Sequence, residues 1–196
     1  VIVATAKAID YHGGFKDGGG TGNLAKHIEN IRLFGIQPVV CISRFPDDTP
    51  AGLRKIVKFC EAHDVEAVVG EHFDRGAPGA VELAEAVLRA AAKHRRAQPR
   101  YLYPLDMPLD KKIETVAKKL YGADGADLDR RAREDLALLE KQGLTNLPVC
   151  IAKTPLSLSD NPSLRGRPSG FRITVNELRI SAGAGFIVAI CGIFVL

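Results

Sequence analysis

The sequence predicts an α/β fold, and two observations support this class. The run Val39–Ile42 is apolar without polar alternation, which is typical of a strand that is covered on both faces of a parallel sheet, and Val65–Val69 predicts a second short apolar strand. Segments with helical periodicity separate them, in the βαβ order of such a sheet. We therefore expect a parallel, P-loop-NTPase-like or Rossmann-like part over residues 1–98 and a smaller α+β part over residues 99–196.

The composition fits a chain that buries a sizeable core and excludes some classes of partner. Of 196 residues, 46% are hydrophobic, and the formal net charge is only +4. The only tight basic cluster before Arg100 is His94-Arg95-Arg96, and no zinc-finger or aromatic-basic signature is present, so we expect no nucleic-acid partner. No His/Cys group has metal-ligand spacing. The four widely separated cysteines predict buried free thiols in a reducing compartment, the cytoplasm: Cys41, Cys60, Cys150 and Cys191.

Elements of the first part follow from local signals. Val1–Ala6 predicts a strand, and the glycine-rich stretch Tyr11–Gly22 predicts a loop. Its glycines suggest a phosphate cradle, but no Lys-Ser/Thr follows them, so a linker loop is the better interpretation. Asn23 predicts the N-cap of a helix that ends at Phe34. Further helices are expected around Leu53–Cys60 and Ala80–Lys93.

The second part begins after the proline-punctuated passage 98–108. Asp110 predicts the cap of a helix that Gly122 ends, and another helix is expected from Leu128 to Gln142. Strands are predicted, with antiparallel pairing among the last ones, at Leu147–Ala152, Phe171–Val175, Leu178–Ile180 and from Gly185 onwards. The uncharged carboxy-terminal run is shorter than the ~20 residues of a spanning helix, which favours a strand over a tail anchor, so no membrane partner is expected.

The candidate site lies where the two buried strands end. In parallel sheets ligands collect at the carboxyl ends of strands, so Phe45 and Phe73 are expected at one rim, with Pro46 stiffening the loop. The alternative is that both phenylalanines are core residues at strand ends. Loop carboxylates are more often turn formers than ligand groups, so the other rim candidates rank second. These are Ser43, Arg44, Asp47, Asp48, Thr49 and Glu71.

Several long stretches, in order along nearly the whole chain, carry a family resemblance. The chain closely resembles the carboxy-terminal part of formate–tetrahydrofolate ligase, and we identify it as a member of that family. The matching stretches are Asn23–Ile31, Ser43–Thr49, Asn146–Thr154, Ser157–Asp160, Gly166–Phe171 and Ser181–Phe186. Several matches in order are more specific than any single motif.

The resemblance implies an activity and a set of substrates. Family members use ATP and Mg²⁺ to join formate to tetrahydrofolate, through formyl phosphate, and give 10-formyltetrahydrofolate; they are cytoplasmic homo-oligomers. The family holds the flat pterin ring between two aromatic residues, which correspond to Phe45 and Phe73 here. Aromatic faces suit a flat heterocycle, at roughly 1 kcal/mol per contact beyond area burial. Lys153 and Arg167 are weaker candidates for contacts to phosphate.

Departures from the family pattern limit these expectations. Ser43 stands where the family has asparagine, and Phe73 stands where it has tryptophan. The motif Gly-x-x-x-x-Gly-Lys-Ser/Thr, which cradles phosphates, occurs nowhere in the sequence. We therefore expect a truncated chain that is inactive alone, and its catalytic residues remain unassigned. The alternative function is a non-catalytic remnant that acts as a folate-binding or protein-interaction module.

Overall fold

The computed structural model describes residues 1–13, 20–93 and 98–192. The chain falls into two units, Val1–Arg100 and Tyr101–Leu196, and each unit is built on its own sheet. Three sequence features lie outside the described residues: positions 14–19 of the glycine-rich stretch, the basic cluster at 94–96, and the last four residues.

The first unit contains a parallel sheet with the strand order β1-β2-β3. Its strands are β1 (Ile2–Ala4), β2 (Val40–Ser43) and β3 (Ala67–Gly70). Its helices are α1 (Ala6–Gly13), α2 (Thr21–Leu33), α3 (Pro50–Ala62), the short α4 (His72–Arg75) and α5 (Val81–Lys93), with a 3₁₀ turn at Ala77–Ala80. The sheet thus pairs strands that helices connect, as expected for βαβ units.

Burial on both faces of β2 explains why its sequence does not alternate. All four residues of β2 are buried. Val40 and Ile42 pack in a cluster with apolar residues of α2 and α3, whereas Val39 packs in a separate cluster with residues of β3 and α5. Because successive side chains of a strand point to opposite faces, the two clusters lie on opposite sides of the sheet. The central strand is therefore covered on both faces.

The second unit contains a mixed sheet with the strand order β4-β6-β7-β5. Its elements are α6 (Leu109–Val116) with a π-helical extension at Ala117–Tyr121, β4 (Gly125–Leu128), α7 (Arg130–Lys141), β5 (Val149–Ala152), β6 (Arg172–Ser181) and β7 (Phe186–Cys191). Strands β6 and β7 pair antiparallel, which confirms the predicted antiparallel pairing, and the other two pairs are parallel. Val116, Ile173 and Ile187 lie in the core of this unit.

The predicted loop Tyr11–Gly22 is wrong at both ends. Helix α1 runs to Gly13, and α2 begins at Thr21, before the predicted cap Asn23. Gly20 is buried, and a Cβ at this position would lie 2.3 Å from the carbonyl oxygen of Ile9. This glycine therefore permits close packing of two helices, a role that cannot be distinguished from loop flexibility in the sequence.

The second unit requires further corrections. Strand β4 was not predicted, and α6 has its N-cap at Pro108 instead of Asp110. The two strands that were predicted between Phe171 and Ile180 form the single strand β6, which continues through a register shift between Val175 and Glu177. A bulge absorbs an extra residue without ending the strand, so the apolar pattern is interrupted while the pairing is not.

The predicted burial of the four cysteines is correct for three of them. Cys41, Cys60 and Cys191 are buried free thiols, whereas Cys150 is exposed. The α/β class is confirmed, but the Rossmann-like assignment remains a prediction, because the described strands show no reversal of strand order in the first sheet. Within the described residues, no helix combines the length and the apolar character needed to cross a membrane.

Candidate functional site

The loops after β2 and β3 leave the sheet side by side. Ser43, the last residue of β2, pairs with Gly70, the last residue of β3. The pairing extends one residue further, because the backbone N–H of Arg44 donates a hydrogen bond to the carbonyl oxygen of Gly70 at 2.9 Å. The residues that follow both strands therefore start from a fixed position at the carboxyl end of the sheet.

The two predicted aromatic residues lie together at this end. The ring centroids of Phe45 and Phe73 are 4.8 Å apart, and the ring planes are inclined by 45°. Neither is a core residue, because Phe45 is 38% exposed and Phe73 is 60% exposed. Phe73 lies on the helical turn α4 and not in the loop that the sequence predicted. Two exposed aromatic rings that cover each other form a surface suited to a flat ligand.

The Phe45 loop is held by its own polar residues. Asp48 accepts a hydrogen bond from the backbone N–H of Phe45 at 2.8 Å, and its own N–H donates to the Phe45 carbonyl oxygen at 3.0 Å. The Thr49 hydroxyl accepts a hydrogen bond from the N–H of Gly52 at 3.1 Å and caps α3. Asp48 and Thr49, two of the rim candidates, thus stabilise the Phe45 loop and the start of α3. Asp47 and Pro46 are exposed.

Glu71 connects the two loops. One carboxylate oxygen lies 2.5 Å from Nη1 of Arg44, and the other lies 2.9 Å from Nη1 of Arg75. Hydrogen bonds from Arg75 and Arg44 hold the pKa of Glu71 below its ordinary value. Arg75 was not among the predicted site residues, although its position four residues after Glu71 on a helix is the spacing of an ion pair.

Ser43 is placed beneath the rim instead of on it. Its side chain is buried, and its Oγ lies 3.3 Å from Nε2 of His72, the residue before Phe73. A Cβ at Gly70 would lie 2.8 Å from Nδ1 of His72, so this glycine makes room for the imidazole ring. His72 was not predicted from the sequence, and no local signal identifies it.

Two hollows of the first unit differ in their relation to these residues. A hollow of about 470 Å³ is lined by Glu71, Arg75 and Gly79 among others, and neither Phe45 nor Phe73 lines it. A larger hollow, of about 570 Å³, is lined by residues that precede β2 and β3, including Pro38 and Val65. Ligands of parallel sheets bind at the carboxyl ends of the strands, so the exposed aromatic pair, and not either hollow, is the candidate binding surface.

Lys153 and Arg167 belong to the second unit. Nζ of Lys153 lies 4.8 Å from the ring centroid of Tyr121, and it donates hydrogen bonds to the carbonyl oxygens of Thr154 and Ser157. Burial lowers the pKa of Lys153 to about 8. These contacts tie down the loop after β5. Arg167 is exposed.

The described residues contain no preassembled group of metal-ligating side chains, and the sequence contains no Gly-x-x-x-x-Gly-Lys-Ser/Thr phosphate cradle. No group of three or more His, Cys, Asp or Glu side chains among residues 1–13, 20–93 and 98–192 is arranged to hold a metal ion. The sequence also lacks the phosphate-cradling motif with its Lys-Ser/Thr pair. What the arrangement offers is a pair of aromatic rings with carboxylates and guanidinium groups beside it, which suits a flat polar heterocycle.

Comparison with known proteins gives a consistent result along the whole chain. The family model described as formate–tetrahydrofolate ligase matches residues 1–196. The chain is 41% identical to the formate–tetrahydrofolate ligase of Roseobacter denitrificans over 98% of its length, which is 36% of that protein. It is 42% identical to the corresponding ligase of Thermotoga maritima, again over 98% of its length and 37% of the relative. The chain thus spans little more than a third of the length of these relatives.

Proposed function

Because the chain belongs to the formate–tetrahydrofolate ligase family, we propose that it carries the tetrahydrofolate-binding part of such a ligase. The complete reaction converts ATP, formate and tetrahydrofolate to ADP, phosphate and 10-formyltetrahydrofolate, with formyl phosphate as the intermediate. The observation that supports a binding role is the pairing of Phe45 and Phe73 at the ends of neighbouring strands. The first unit is then the Rossmann-like, folate-binding part, and the second unit is the smaller α+β carboxy-terminal part.

Binding between the rings requires them to separate. A flat ring that stacks on both sides needs roughly 3.5–4.0 Å on each side, so the two phenylalanines must move to about 7–8 Å apart. Their centroids are 4.8 Å apart here. The more exposed Phe73 is the ring with the greater freedom to move, whereas the backbone of Phe45 is held by Asp48. We infer that the pterin enters by displacing the Phe73 side chain.

Asp47 is the rim carboxylate that we assign to the N–H donors of the pterin. Asp48 binds the backbone of its own loop, and Glu71 binds two arginines. Among the described residues, Asp47 has no such hydrogen bond or ion pair and is exposed. A carboxylate accepts hydrogen bonds only, which matches the amino and ring N–H groups of a pterin.

We assign nucleotide chemistry to parts of the ligase other than the described residues, because the sequence lacks the motif that cradles the phosphates of ATP and no group of metal-ligating side chains is preassembled among those residues. We therefore propose that the isolated chain binds tetrahydrofolate but does not form 10-formyltetrahydrofolate. The complete ligase would work as a homo-oligomer in the cytoplasm, as the family resemblance implies.

Calorimetric titration with tetrahydrofolate tests the proposal. The unchanged chain is expected to bind tetrahydrofolate saturably. Phe45→Ala and Phe73→Ala should each weaken the affinity at least tenfold, because each removes one stacking contact. Asp47→Asn should weaken it by about threefold to tenfold, because a charged hydrogen-bond acceptor is removed. Tyr101→Ala is the matched control, because Tyr101 is an equally exposed aromatic residue outside the site, at 60%. Absence of binding to a folded chain would contradict the proposal.

A second candidate function is a protein-interaction module, and exposed apolar residues of the first unit support it. Val3 on β1 is 67% exposed and Leu88 on α5 is 69% exposed. A hollow of about 280 Å³ in the same unit is lined mainly by apolar residues, among them Val1, Ile36 and Val87, and adjoining apolar residues are a common feature of protein-binding faces. Tight self-association in sedimentation velocity, together with no folate binding, would favour this function over the ligase role.

A further inference from the structure

We propose that Glu71 is the positioning residue of the aromatic pair, and that its carboxylate sets the placement of both rings without touching the ligand. The inference rests on the proposed function only in that the rings receive tetrahydrofolate. The placement itself is a property of this chain. Its consequence is that the affinity of the site depends on a residue behind the stacking surface.

The first argument is the way in which the two oxygens of Glu71 are shared. Oε1 forms an ion pair with Arg44, the residue immediately before Phe45. Oε2 forms an ion pair with Arg75, which lies two residues after Phe73. One carboxylate thus joins the loop that carries one ring to the helix that carries the other. Hydrogen bonds between charged groups are shorter and stronger than neutral ones, so they fix orientation as well as distance.

The second argument is that the backbone of Glu71 is itself fixed. Its N–H donates to the carbonyl oxygen of Gly79 at 3.0 Å, and its carbonyl accepts from the N–H of Arg75 at 2.9 Å. Gly79 approaches so closely that a Cβ there would lie 2.4 Å from the Glu71 carbonyl carbon. Because the 3₁₀ turn packs against the backbone of Glu71, the position from which its side chain reaches both arginines is fixed.

Exposure limits the size of the effect. The side chain of Glu71 is 30% exposed, and those of Arg44 and Arg75 are 43% and 61% exposed. Ion pairs in contact with solvent are individually weak, so removing both is expected to weaken binding by about threefold to tenfold and not to abolish it. A loss as complete as that from Phe45→Ala is not expected, because the rings remain.

The test compares Glu71→Gln with Glu66→Gln in the full chain. Glu66 is a matched control, because it forms an ion pair with Arg89 at 2.7 Å in the same unit. We expect Glu71→Gln to weaken tetrahydrofolate binding by about threefold to tenfold and Glu66→Gln to stay within about twofold, since the control pair does not link the ring-bearing segments. Equal affinities for both variants and the unchanged chain would overturn the inference.

A second measurement does not depend on folate. In chain labelled with ¹³C in its phenylalanine rings, nuclear Overhauser contacts between Phe45 and Phe73 report the pairing directly. We expect these contacts to be lost in Glu71→Gln and retained in Glu66→Gln. Retention in both variants would overturn the positioning role. Loss in Glu71→Gln alone, in a chain that does not bind tetrahydrofolate, would contradict the proposed function and leave the positioning role supported.

Discussion

At the scale of single residues, burial determines the charge of Lys153 more than its neighbours do. Removal from water lowers the pKa of this lysine to about 8, and the electrostatic influence of Cys191 and Asp160 only partly opposes that effect. The contact of Nζ with the Tyr121 ring and two carbonyl oxygens gives the ammonium group its partners. The lowered pKa of Lys153 is therefore tested through the pH dependence of the free energy of unfolding, and not through phosphate binding.

The first prediction concerns that pH dependence. A lysine whose folded pKa lies below its unfolded value of about 10.4 binds fewer protons when folded, so the free energy of unfolding rises with pH across that interval. Burial also raises the pKa of Cys41, Cys60 and Cys191, and these thiols act in the opposite direction as the pH approaches and passes their ordinary value of 9.0. The useful window is therefore from about pH 8 to about pH 9.

We expect the slope of the free energy of unfolding with pH, measured by urea unfolding across this window, to be more positive in the unchanged chain than in Lys153→Met. Lys141→Met, which changes an exposed lysine at the end of α7, should keep the slope of the unchanged chain. The comparison uses the slope of the free energy of unfolding against pH. A loss of stability in Lys153→Met that is the same at every pH therefore does not affect it. Equal slopes in both variants would show that Lys153 has an ordinary pKa.

At the scale of elements, Thr49 joins the site loop to α3. Its hydroxyl caps the helix, and Pro50 follows at the first helical position, where the missing N–H has no cost. A residue between an aromatic loop and a helix is easily taken for a ligand group. The hydrogen bond to Gly52 assigns it to the helix instead.

Thr49→Ala is expected to lower the free energy of unfolding by about 1 kcal/mol, because the first turn of α3 loses its cap. Thr49→Ser retains a hydroxyl and should restore nearly all of that stability. Chemical denaturation measures both. If Thr49→Ser were as destabilised as Thr49→Ala, the methyl group and not the cap would be the source of the effect.

The elements also show which features of the fold can be predicted from the sequence. Strand β2 and helices α3 and α5 were predictable because burial produces long apolar patterns. Helix α4 and strand β4 were not, because four residues are too few to show a period and, unlike β2, neither element is a continuous apolar run. Gly20 was misleading, since close packing and flexibility both select glycine.

The candidate site was predictable to a similar extent. Phe45 and Phe73 follow two apolar strands, so their position at one end of the sheet could be predicted from the sequence. The pairing of Glu71 with two arginines, and the placement of Ser43 against His72, depend on side-chain geometry across the sheet. Sequence periodicity carries no information about such cross-strand contacts.

At the scale of the whole molecule, each unit has its own hydrophobic core. Ile42 is fully buried in the first unit, and Ile173 is fully buried in the second. We expect Ile173→Ala, which costs about 2–5 kcal/mol, to increase amide hydrogen exchange mainly in residues 101–192. Ile42→Ala should act mainly on residues 1–93. Mass spectrometry measures this exchange. If either variant accelerated amide hydrogen exchange equally in both units, the chain would unfold as a single cooperative unit.

The exposure of one cysteine provides a chemical handle. The chain has four cysteines, and Cys150 is the exposed one. A maleimide should therefore label the folded protein at a single position and the unfolded protein at four. Because burial also raises the pKa of Cys41, Cys60 and Cys191, their thiolates are scarce as long as the fold is intact. The rate at which the second, third and fourth labels appear thus measures how often each part of the protein opens, with no added fluorophore.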